Sequence, residues 1–458
     1  RGGAPRGPRR RLRHNRPREA HSPRHASRGS RPERARSSRR FPHGAPRRSA
    51  PRGLLRGRGE TGCPMAHHGE QHDGAEHAII LQNTWNNKRN RTSCLFCCRL
   101  LIVDAHAGIV EAEVVDEARL ISYHHMVVRA SDQAPLVSST AASEVEDDAS
   151  SVKGTTNSDG ADASWGEGET LLMTSNGFFG NSKKSNHSVS VVVIAEKDGK
   201  MVRDYDYSSK VFGEDLTNSK KIGLEAAKKT LARMGAKKPV TGKYPVIFDP
   251  RVSRSIASHF ASAINGSSIA RKTSFLKDML NQQVANKSIN LVDDPFLKRG
   301  LASRLFDGEG LGSSKNLLIS EGVLQQWLLD LSSAKQLNMA PTGNAKRGIS
   351  GPPAPGISNL ILLPGEVTPE NLISNISDGF YVTDMIGSSV SMITGDYSRG
   401  ASGFWIKNGE FSNPITEATI AGNLKEMFMT LQPANDIDYS HSINCPTLLI
   451  EGMTIAGN

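Results

Sequence analysis

The sequence has few aromatic residues, few cysteines and no long apolar run. Aromatic side chains make up 5% of the chain and apolar side chains 37%, which is little for a chain with a compact core along its whole length. No run of about 18 apolar residues occurs, so no transmembrane helix is predicted. Four of the five cysteines precede residue 100 without regular spacing, which argues against a disulfide framework. Since no apolar segment follows the Arg-rich start, no secretory signal is predicted and a cytoplasmic location is expected.

Basic residues are concentrated at the start of the chain. Residues 1–60 hold 20 Arg and three Glu, with neither Lys nor Asp, which is a net charge of +17. The whole chain has a net charge of +11, so residues 61–458 carry −6. Proteins that bind a phosphate backbone present basic residues on their folded surface. The folded part of this chain is therefore not predicted to bind nucleic acid.

The sequence divides into zones of different composition. Residues 1–60 are rich in Arg, Pro and Gly, which predicts disorder because they cannot bury enough apolar surface. This segment is interpreted either as a nucleic-acid-binding arm or as non-native sequence translated upstream of Met65, where the composition changes abruptly. Residues 61–150 show no repeat or periodic element from which a domain could be assigned. An acidic stretch lies at their end, at residues 143–151.

From Val152 onward the pattern predicts an α+β protein. Asp198-Gly199 and Asn408-Gly409 predict tight hairpins. Helices are predicted at Asn218–Met234, Val252–Ile264 and Leu424–Leu431. The strands are predicted at Glu169–Asn176, Ser188–Ala195, Met201–Tyr207, Tyr244–Phe248, Ile289–Val292, Asn316–Ser320, Val323–Leu329, Asn359–Leu363, Phe380–Thr383, Gly403–Lys407, Glu410–Ser412 and Thr447–Met453. The expected architecture is an incomplete N-terminal mixed α/β domain, followed by an antiparallel β-barrel or sandwich-like C-terminal domain with short helices.

A series of ordered blocks resembles the PmbA/TldE branch of the TldD/PmbA family, a family of metallopeptidases. The blocks run from residue 152 to the end of the chain, about two thirds of its length. They are TNSDGADASWG (Thr156–Gly166), TSNGF (Thr174–Phe178), RDYDYSS (Arg203–Ser209), YPVIFDPRV (Tyr244–Val252), INGSSIARKTSFLKD (Ile264–Asp278), DDP (Asp293–Pro295), FDGEG (Phe306–Gly310), TGDYSRGASGFWIKNGE (Thr394–Glu410), ITEATIAGNL (Ile415–Leu424) and PTLLIEGMTIAG (Pro446–Gly457). The resemblance implies that residues 151–240 are a remnant of the family's N-terminal and central region and residues 241–458 its C-terminal domain.

The family's TldD-type subunits carry HExxxH on a helix, where the histidines bind zinc and the glutamate can act as a general base. In this chain the corresponding helix keeps only His259 of the three residues. Phe260 replaces the glutamate and Ile264 replaces the second histidine. The resemblance therefore implies a subunit without zinc or catalytic residues of its own, and a zinc-bearing TldD-type partner.

A glycine-flanked stretch, Gly395 to Gly400, is predicted to be a loop. It carries Asp396, Tyr397, Ser398 and Arg399, which we expect to contact either a peptide or the partner subunit. The alternative is a structural one, in which a buried Asp396–Arg399 ion pair holds a turn.

A second group of polar residues offers Cys and His ligands for a metal. It lies early in the chain, but its spacing matches no established zinc-finger pattern. Its members are His67, His68, Glu70, His72, His77, Cys94, Cys97 and Cys98.

Three hypotheses follow for function. The first is a non-metal subunit that joins a TldD-type metallopeptidase in the proteolysis of unfolded or small peptides. The second is an autonomous metallopeptidase whose ligands have an unfamiliar spacing. The third is a non-enzymatic regulator that binds DNA gyrase, with which the family is associated, or nucleic acid.

Overall fold

The computed structural model describes residues 77–83, 98–104, 108–112, 125–128, 134–348 and 351–457. The predictions for residues 1–60, for most of residues 61–150 and for the side chains of the early Cys/His group lie outside these residues. In the described part of the chain, no helix is long and apolar enough to cross a membrane. The helices are α1 Ala134–Ser150, α2 Ser219–Ala232, α3 Pro250–Ala263, α4 Gly266–Ala270, α5 Leu331–Leu337, α6 Pro369–Ser374 and α7 Leu424–Thr430.

The strands form several sheets, which mix with the helices as expected for an α+β protein. In chain order they are β1 His77–Asn83, β2 Cys98–Asp104, β3 Gly108–Ala112, β4 His125–Val128, β5 Asn157–Met173, β6 Phe179–Lys197, β7 Lys200–Lys210, β8 Gly242–Phe248, β9 Leu291–Asp293, β10 Asn316–Ser320, β11 Val323–Leu324, β12 Ala345–Lys346, β13 Ala354–Pro355, β14 Leu360–Leu362, β15 Asp378–Val390, β16 Asp396–Lys407, β17 Glu410–Asn423, β18 Gln432–Pro433, β19 Ile443–Asn444 and β20 Leu448–Ala456.

The central part of the chain is an antiparallel sheet in the order β4-β5-β6-β7. The hairpin predicted between β6 and β7 is confirmed, since Lys197 pairs with Lys200 across the turn. Asp198 and Gly199 have φ angles of 53° and 72° there, as a type I′ turn requires. Alternate residues of β6 lie in a small core between the sheet and helices α1 and α2. This core includes Val189, Val191, Val193, Ile222, Ala226 and Ala227.

Helix α2 agrees with its prediction to within two residues at the C-terminal end. The side chain of Asn218 caps it by accepting a hydrogen bond from the backbone N–H of Lys220. Helix α1 was not predicted, because its acidic sequence buries only a narrow apolar stripe that includes Val145 and Ala149. The two helices approach closely at Gly223, where an added Cβ would lie 2.6 Å from the Val145 carbonyl oxygen.

Strand β5 is longer than the sequence indicates. It begins at Asn157, whereas the pattern predicted a strand only from Glu169. Its first half is rich in Asp, Gly, Ala and Ser, which have low β propensity. Pairing with the valine-rich part of β6 compensates for this low propensity, as at Ala161 opposite Val191.

The C-terminal part contains a sheet that closes on itself. The order β17-β16-β15-β8-β20 is closed by a second pairing between β17 and β20. This confirms the expected barrel-like C-terminal domain, although β8 and β15 run parallel rather than antiparallel. The largest core of the described residues lies between this sheet, α3 and the second sheet, and includes Phe248, Phe260, Phe380, Tyr397 and Phe428.

The barrel hairpin at Asn408-Gly409 is confirmed, with φ angles of 51° and 79° and Lys407 opposite Glu410. Its strands extend well beyond the predicted residues, since β16 starts at Asp396 and β17 ends at Asn423. Glycine and serine along both strands weakened the apolar alternation from which strands are predicted.

A second sheet, in the order β11-β10-β9-β14-β19, lies beside the barrel. The strand predicted at Val323–Leu329 is only two residues long, because Trp327, Leu328 and Leu329 leave the sheet to enter the core. In the described residues of the loop predicted between Thr342 and Ser358, the two-residue strands β12 and β13 pair with each other and the rest is irregular.

Candidate functional site

Helix α3 brings the remaining histidine of the HExxxH pattern against the barrel. Asp249 caps the helix by accepting a hydrogen bond from the N–H of Arg251 at 2.9 Å, and Pro250 follows at its first position. The ring of His259 meets the ring of Tyr397 edge to face, with centroids 5.9 Å apart. Its Nε2 atom is buried and has no hydrogen-bond partner in the described part of the chain.

The stretch predicted to be a loop is the first part of strand β16, so this prediction is wrong. The alternative of a buried Asp396–Arg399 ion pair is wrong too, because residues three apart on a strand point to opposite faces. The carboxylate of the exposed Asp396 instead accepts hydrogen bonds from Thr394 Oγ1 at 2.6 Å and Asn423 Nδ2 at 3.1 Å. The Nε of Arg399 donates to the Gly387 carbonyl at 2.7 Å.

The four predicted contact residues divide between the two faces of β16. Tyr397 is buried and faces α3, and alternation along the strand places Arg399 on the same side. Burial, together with the charge of Arg399, lowers the pKa of His259 to about 4. Asp396 and Ser398 belong to the other face. The structure thus joins Tyr397 and Arg399 to His259 and separates Asp396 and Ser398 from them.

The residues around His259 do not fit a zinc ion. Zinc in proteins takes three or four donors from Cys, His or carboxylate side chains. Phe260 and Ile264 are 2% and 0% exposed, and the Phe260 ring stacks on Phe428 at 4.0 Å. The cation of Arg399 faces His259 and would repel a metal ion. Across the described residues, no group of three or more His, Cys, Asp or Glu could hold a metal.

A cavity of about 810 Å³ lies where the central sheet meets the barrel. Residues of α2, β7, the first turn of α3 and the barrel strands line it. One wall is aromatic, with Phe411 5.0 Å from Tyr381 and 5.8 Å from Phe404 between ring centroids. The hydroxyl of Tyr381 donates to Asp249 at 2.9 Å. Apolar walls with convergent polar groups are typical of a ligand-binding cavity.

A buried ion cluster crosses the same junction. Asp204 of β7 lies 2.7 Å from Arg251 Nη1 and 2.7 Å from Arg233 Nε, and its side chain is 3% exposed. Burial alone would raise the pKa of Asp204, but the hydrogen bond and charge of Arg251 and the charge of Arg233 hold it below its usual value. Arg233 also lies 3.4 Å from Asp384 of β15. The cluster therefore fixes β7 to both α3 and the barrel.

Sequence reasoning missed this cluster. Asp204 lies in RDYDYSS, which was noticed for its family resemblance and not for its charge. Strand β7 carries four other charged residues, so the burial of Asp204 was not evident from the sequence. Nothing in the sequence identified Arg251, 47 residues away, as its ionic partner.

Two partly buried histidines give the protein a testable dependence on pH. Burial and a guanidinium, from Arg399 for His259 and from Arg254 for His441, lower each pKa to about 4. The unfolded chain has a histidine pKa of about 6.5, so it binds more protons between these values. Each histidine thus contributes stability that is complete above about pH 6.5 and is lost as the pH falls toward 4.

We expect the free energy of unfolding of the unsubstituted chain to fall by roughly 1 kcal/mol per histidine between about pH 7 and pH 5, after allowance for partial solvent screening. A His259→Asn/His441→Asn variant should lose less over the same interval. Thermal unfolding at constant ionic strength measures both losses. An equal fall in the two proteins would show that other groups control the acid sensitivity.

Comparison with known proteins identifies the class of protein to which this fold belongs. The sequence profile of the PmbA/TldA metallopeptidase central domain matches residues 115–234, and that of the PmbA/TldA metallopeptidase C-terminal domain matches residues 241–457. The chain is 34% identical to Metalloprotease PmbA of Escherichia coli O157:H7 over 372 residues, which are 81% of this chain and 80% of that protein. The class is therefore that of the metallopeptidase-related proteins.

Solved structures agree with this fold. A protein of Bacteroides thetaiotaomicron described as a proposed modulator of DNA gyrase superposes with a TM-score of 0.64 at 26% identity, over 79% of this chain and 86% of that one. TldE from Thermococcus kodakarensis has a TM-score of 0.65 at 19% identity, over 83% and 95% of the two chains, and shows the likeness of fold alone. The chain belongs to the PmbA/TldE branch of the PmbA/TldD family, as the ordered sequence blocks indicated.

Proposed function

We propose that this protein is the non-metal subunit of a cytoplasmic TldD/TldE-type peptidase. It pairs with a TldD-type subunit that supplies the zinc and the general base, and the pair cleaves unfolded or small peptides. The observation that carries the proposal is the packing of helix α3. Phe260 and Ile264 occupy two of the three HExxxH positions and are buried in the core, so this helix serves structure rather than metal binding.

The remaining surface features support a role in handling peptide. The 810 Å³ cavity has an aromatic wall for apolar side chains and charged groups for polar ones. At the His259 site, Arg399 offers a fixed cation and Asp396 an exposed carboxylate on the other face of the strand. We assign Arg399 to contact with peptide, and Asp396 and Ser398 to contact with the partner. Tyr397 is buried and positions Arg399.

Zinc content and peptidase activity of the purified chain, measured alone and after mixing with a TldD-type subunit, test this proposal. We expect the isolated chain to hold less than about 0.1 zinc per molecule and to leave an unfolded peptide intact. The mixture should cleave the peptide, and a chelator should stop it. The control replaces the HExxxH glutamate of the partner, because this removes the general base and leaves the assembly intact.

Two other outcomes would favour the alternative hypotheses. Stoichiometric zinc and chelator-sensitive cleavage by the isolated chain would indicate an autonomous metallopeptidase, and the Cys/His group before residue 100 would be the first place to mutate. An inert mixture, together with steeply salt-dependent DNA binding by a chain that starts at Met65, would indicate a nucleic-acid-binding regulator.

A further inference from the structure

Three basic side chains outside the sites described above have no acidic partner. They are Lys184 of β6, Lys346 of β12 and Arg304, which lies between β9 and β10. Among the described residues, none of the three has a carboxylate within ion-pair distance. Two other arginines of the same fold do have acidic partners. Arg251 lies 2.7 Å from Asp204, and Arg299 lies 2.6 Å from Asp215.

The guanidinium of Arg304 is held in place by backbone carbonyls. Its Nη1 donates to Ala345 at 2.9 Å and its Nη2 to Gly343 at 3.4 Å, while its Nε is buried and has no partner in the described part of the chain. Ala345 directly precedes Lys346 on β12. Arg304 is therefore fixed beside Lys346, and part of its donor capacity remains unused.

Strand β6 carries the third cation, Lys184, close to the segment that contains Arg304. The Phe178 ring packs against Phe306 at 5.1 Å between centroids. A Cβ added at Gly180 would lie 2.7 Å from the Phe306 ring, so the strand passes directly over the segment that carries Arg304. Lys184 is four residues further along β6 and thus faces the same side as Gly180.

The three cations are close enough to disturb one another. Burial and the charge of Arg304 lower the pKa of Lys184. Burial and the charges of Arg304 and Lys184 also lower the pKa of Lys346, although Asp293 opposes them. Like charges this close repel one another, and a bound anion relieves their repulsion.

The two nearest acids, Asp293 and Asp307, offset the charge of Arg304 only in part, because their oxygens accept hydrogen bonds from other groups. Asp293 accepts hydrogen bonds from Asn344 Nδ2 at 2.8 Å and from the N–H and hydroxyl of Ser358. Asp307 accepts from the backbone N–H groups of residues 309, 311 and 345. Both side chains are buried, and their oxygens are engaged by neutral donors.

From this arrangement we infer that Lys184, Arg304 and Lys346 form a binding site for a carboxylate group of a peptide. The two lysine ammonium groups supply charge-assisted hydrogen bonds to it. The inference rests on the proposed function for its choice of peptide as the ligand. The carboxylate belongs either to the C-terminus of the peptide or to an Asp or Glu side chain.

Fluorescence anisotropy with the full chain and labelled, unstructured ten-residue peptides tests the inference. Three probes share one neutral sequence: one ends in a free carboxylate, one in an amide, and one is amidated but carries a single internal Glu. We expect Lys184→Gln and Lys346→Gln each to weaken binding of at least one carboxylate-bearing probe by about tenfold. The amidated neutral probe should bind weakly and be unaffected by either substitution.

Lys183→Gln is the matched control. Lys183 neighbours Lys184 on the same strand, faces the opposite side and lies 3.9 Å from Glu169. Its substitution removes the same charge from the chain and should change affinity by less than about twofold. Equal weakening by Lys183→Gln, or no difference between carboxylate and amide probes, overturns the inference. Thermal unfolding of each variant checks that neither lysine is needed for folding.

The two carboxylate probes identify the source of the group. A preference for the free C-terminus indicates recognition of the chain end, and a preference for the internal Glu indicates recognition of an acidic residue. The outcome is independent of catalysis, because binding is measured without the partner. Carboxylate-specific binding by a chain that never activates a TldD-type subunit would refute the proposed function and leave this inference intact.

Discussion

Substitution of Asp204 by Ala is expected to lower the free energy of unfolding by about 3–5 kcal/mol, because it removes one partner of a buried ion cluster. Arg233 and Arg251 are only 13% and 11% exposed, and each lies 2.7 Å from this carboxylate. Without it, the remaining hydrogen bonds of the Arg251 guanidinium go to carbonyl oxygens, such as that of Thr383 at 3.1 Å from its Nε. Urea unfolding followed by circular dichroism measures the loss.

Asp159→Ala provides the comparison for this prediction. Asp159 also forms an ion pair with an arginine of β7, Arg203 at 3.3 Å, but the two side chains are 55% and 69% exposed. Exposed pairs contribute less than about 1 kcal/mol, since water screens them and the side chains lose conformational freedom. If both substitutions had the same small effect, the Asp204 cluster would not be buried in solution as it is in this structure.

The Asp204 cluster also has a consequence for the cavities. Asp204 lines the 810 Å³ cavity and a second one of about 1080 Å³ on the other side of the junction. Arg251 lines the first cavity and Arg233 lines the second. The cluster therefore contributes to the walls of both. Loss of Asp204 should alter ligand access as well as stability.

The fold was largely predictable where one or two residues determine the local backbone conformation. Asp198-Gly199 and Asn408-Gly409 fixed two hairpins, because few residues other than Gly and Asn adopt positive φ readily. Helix α3 was recognised from its apolar face. The first half of β5 and helix α1 were not recognised, because their stability comes from pairing and packing with distant residues and not from their own propensities.

The geometry of the candidate site was not predictable from the sequence. The sequence indicated that His259 is the one residue of HExxxH that this helix keeps, and the contact roles of Tyr397 and Arg399 stay predictions. It placed Asp396 and Arg399 in a loop, where an ion pair between them is feasible, whereas a strand separates them onto opposite faces. Strand assignment failed here because Gly395 and Gly400 are typical of turns.

Replacement of Phe260 by Ala is the second change with a large expected effect, a loss of about 3–5 kcal/mol of unfolding free energy. The side chain is 2% exposed and stacks on Phe428, whose own ring is fully buried. His259→Ala on the same helix should cost less than about 1 kcal/mol, because the buried Nε2 of this histidine has no hydrogen-bond partner among the described residues. Chemical unfolding of the two variants measures the difference.

Phe260→Glu, which restores the glutamate of HExxxH, should destabilise the chain more than Phe260→Ala does. An ionised carboxylate at this position would lie against Phe428 without a partner, and burying a charge in an apolar site costs more than leaving a cavity there. Ile264 is likewise fully buried, so a histidine there would meet the same obstacle. A stable, zinc-binding Phe260→Glu/Ile264→His variant would contradict this account. If instead both substitutions unfold the chain, the packing of α3 itself excludes the HExxxH residues from this helix.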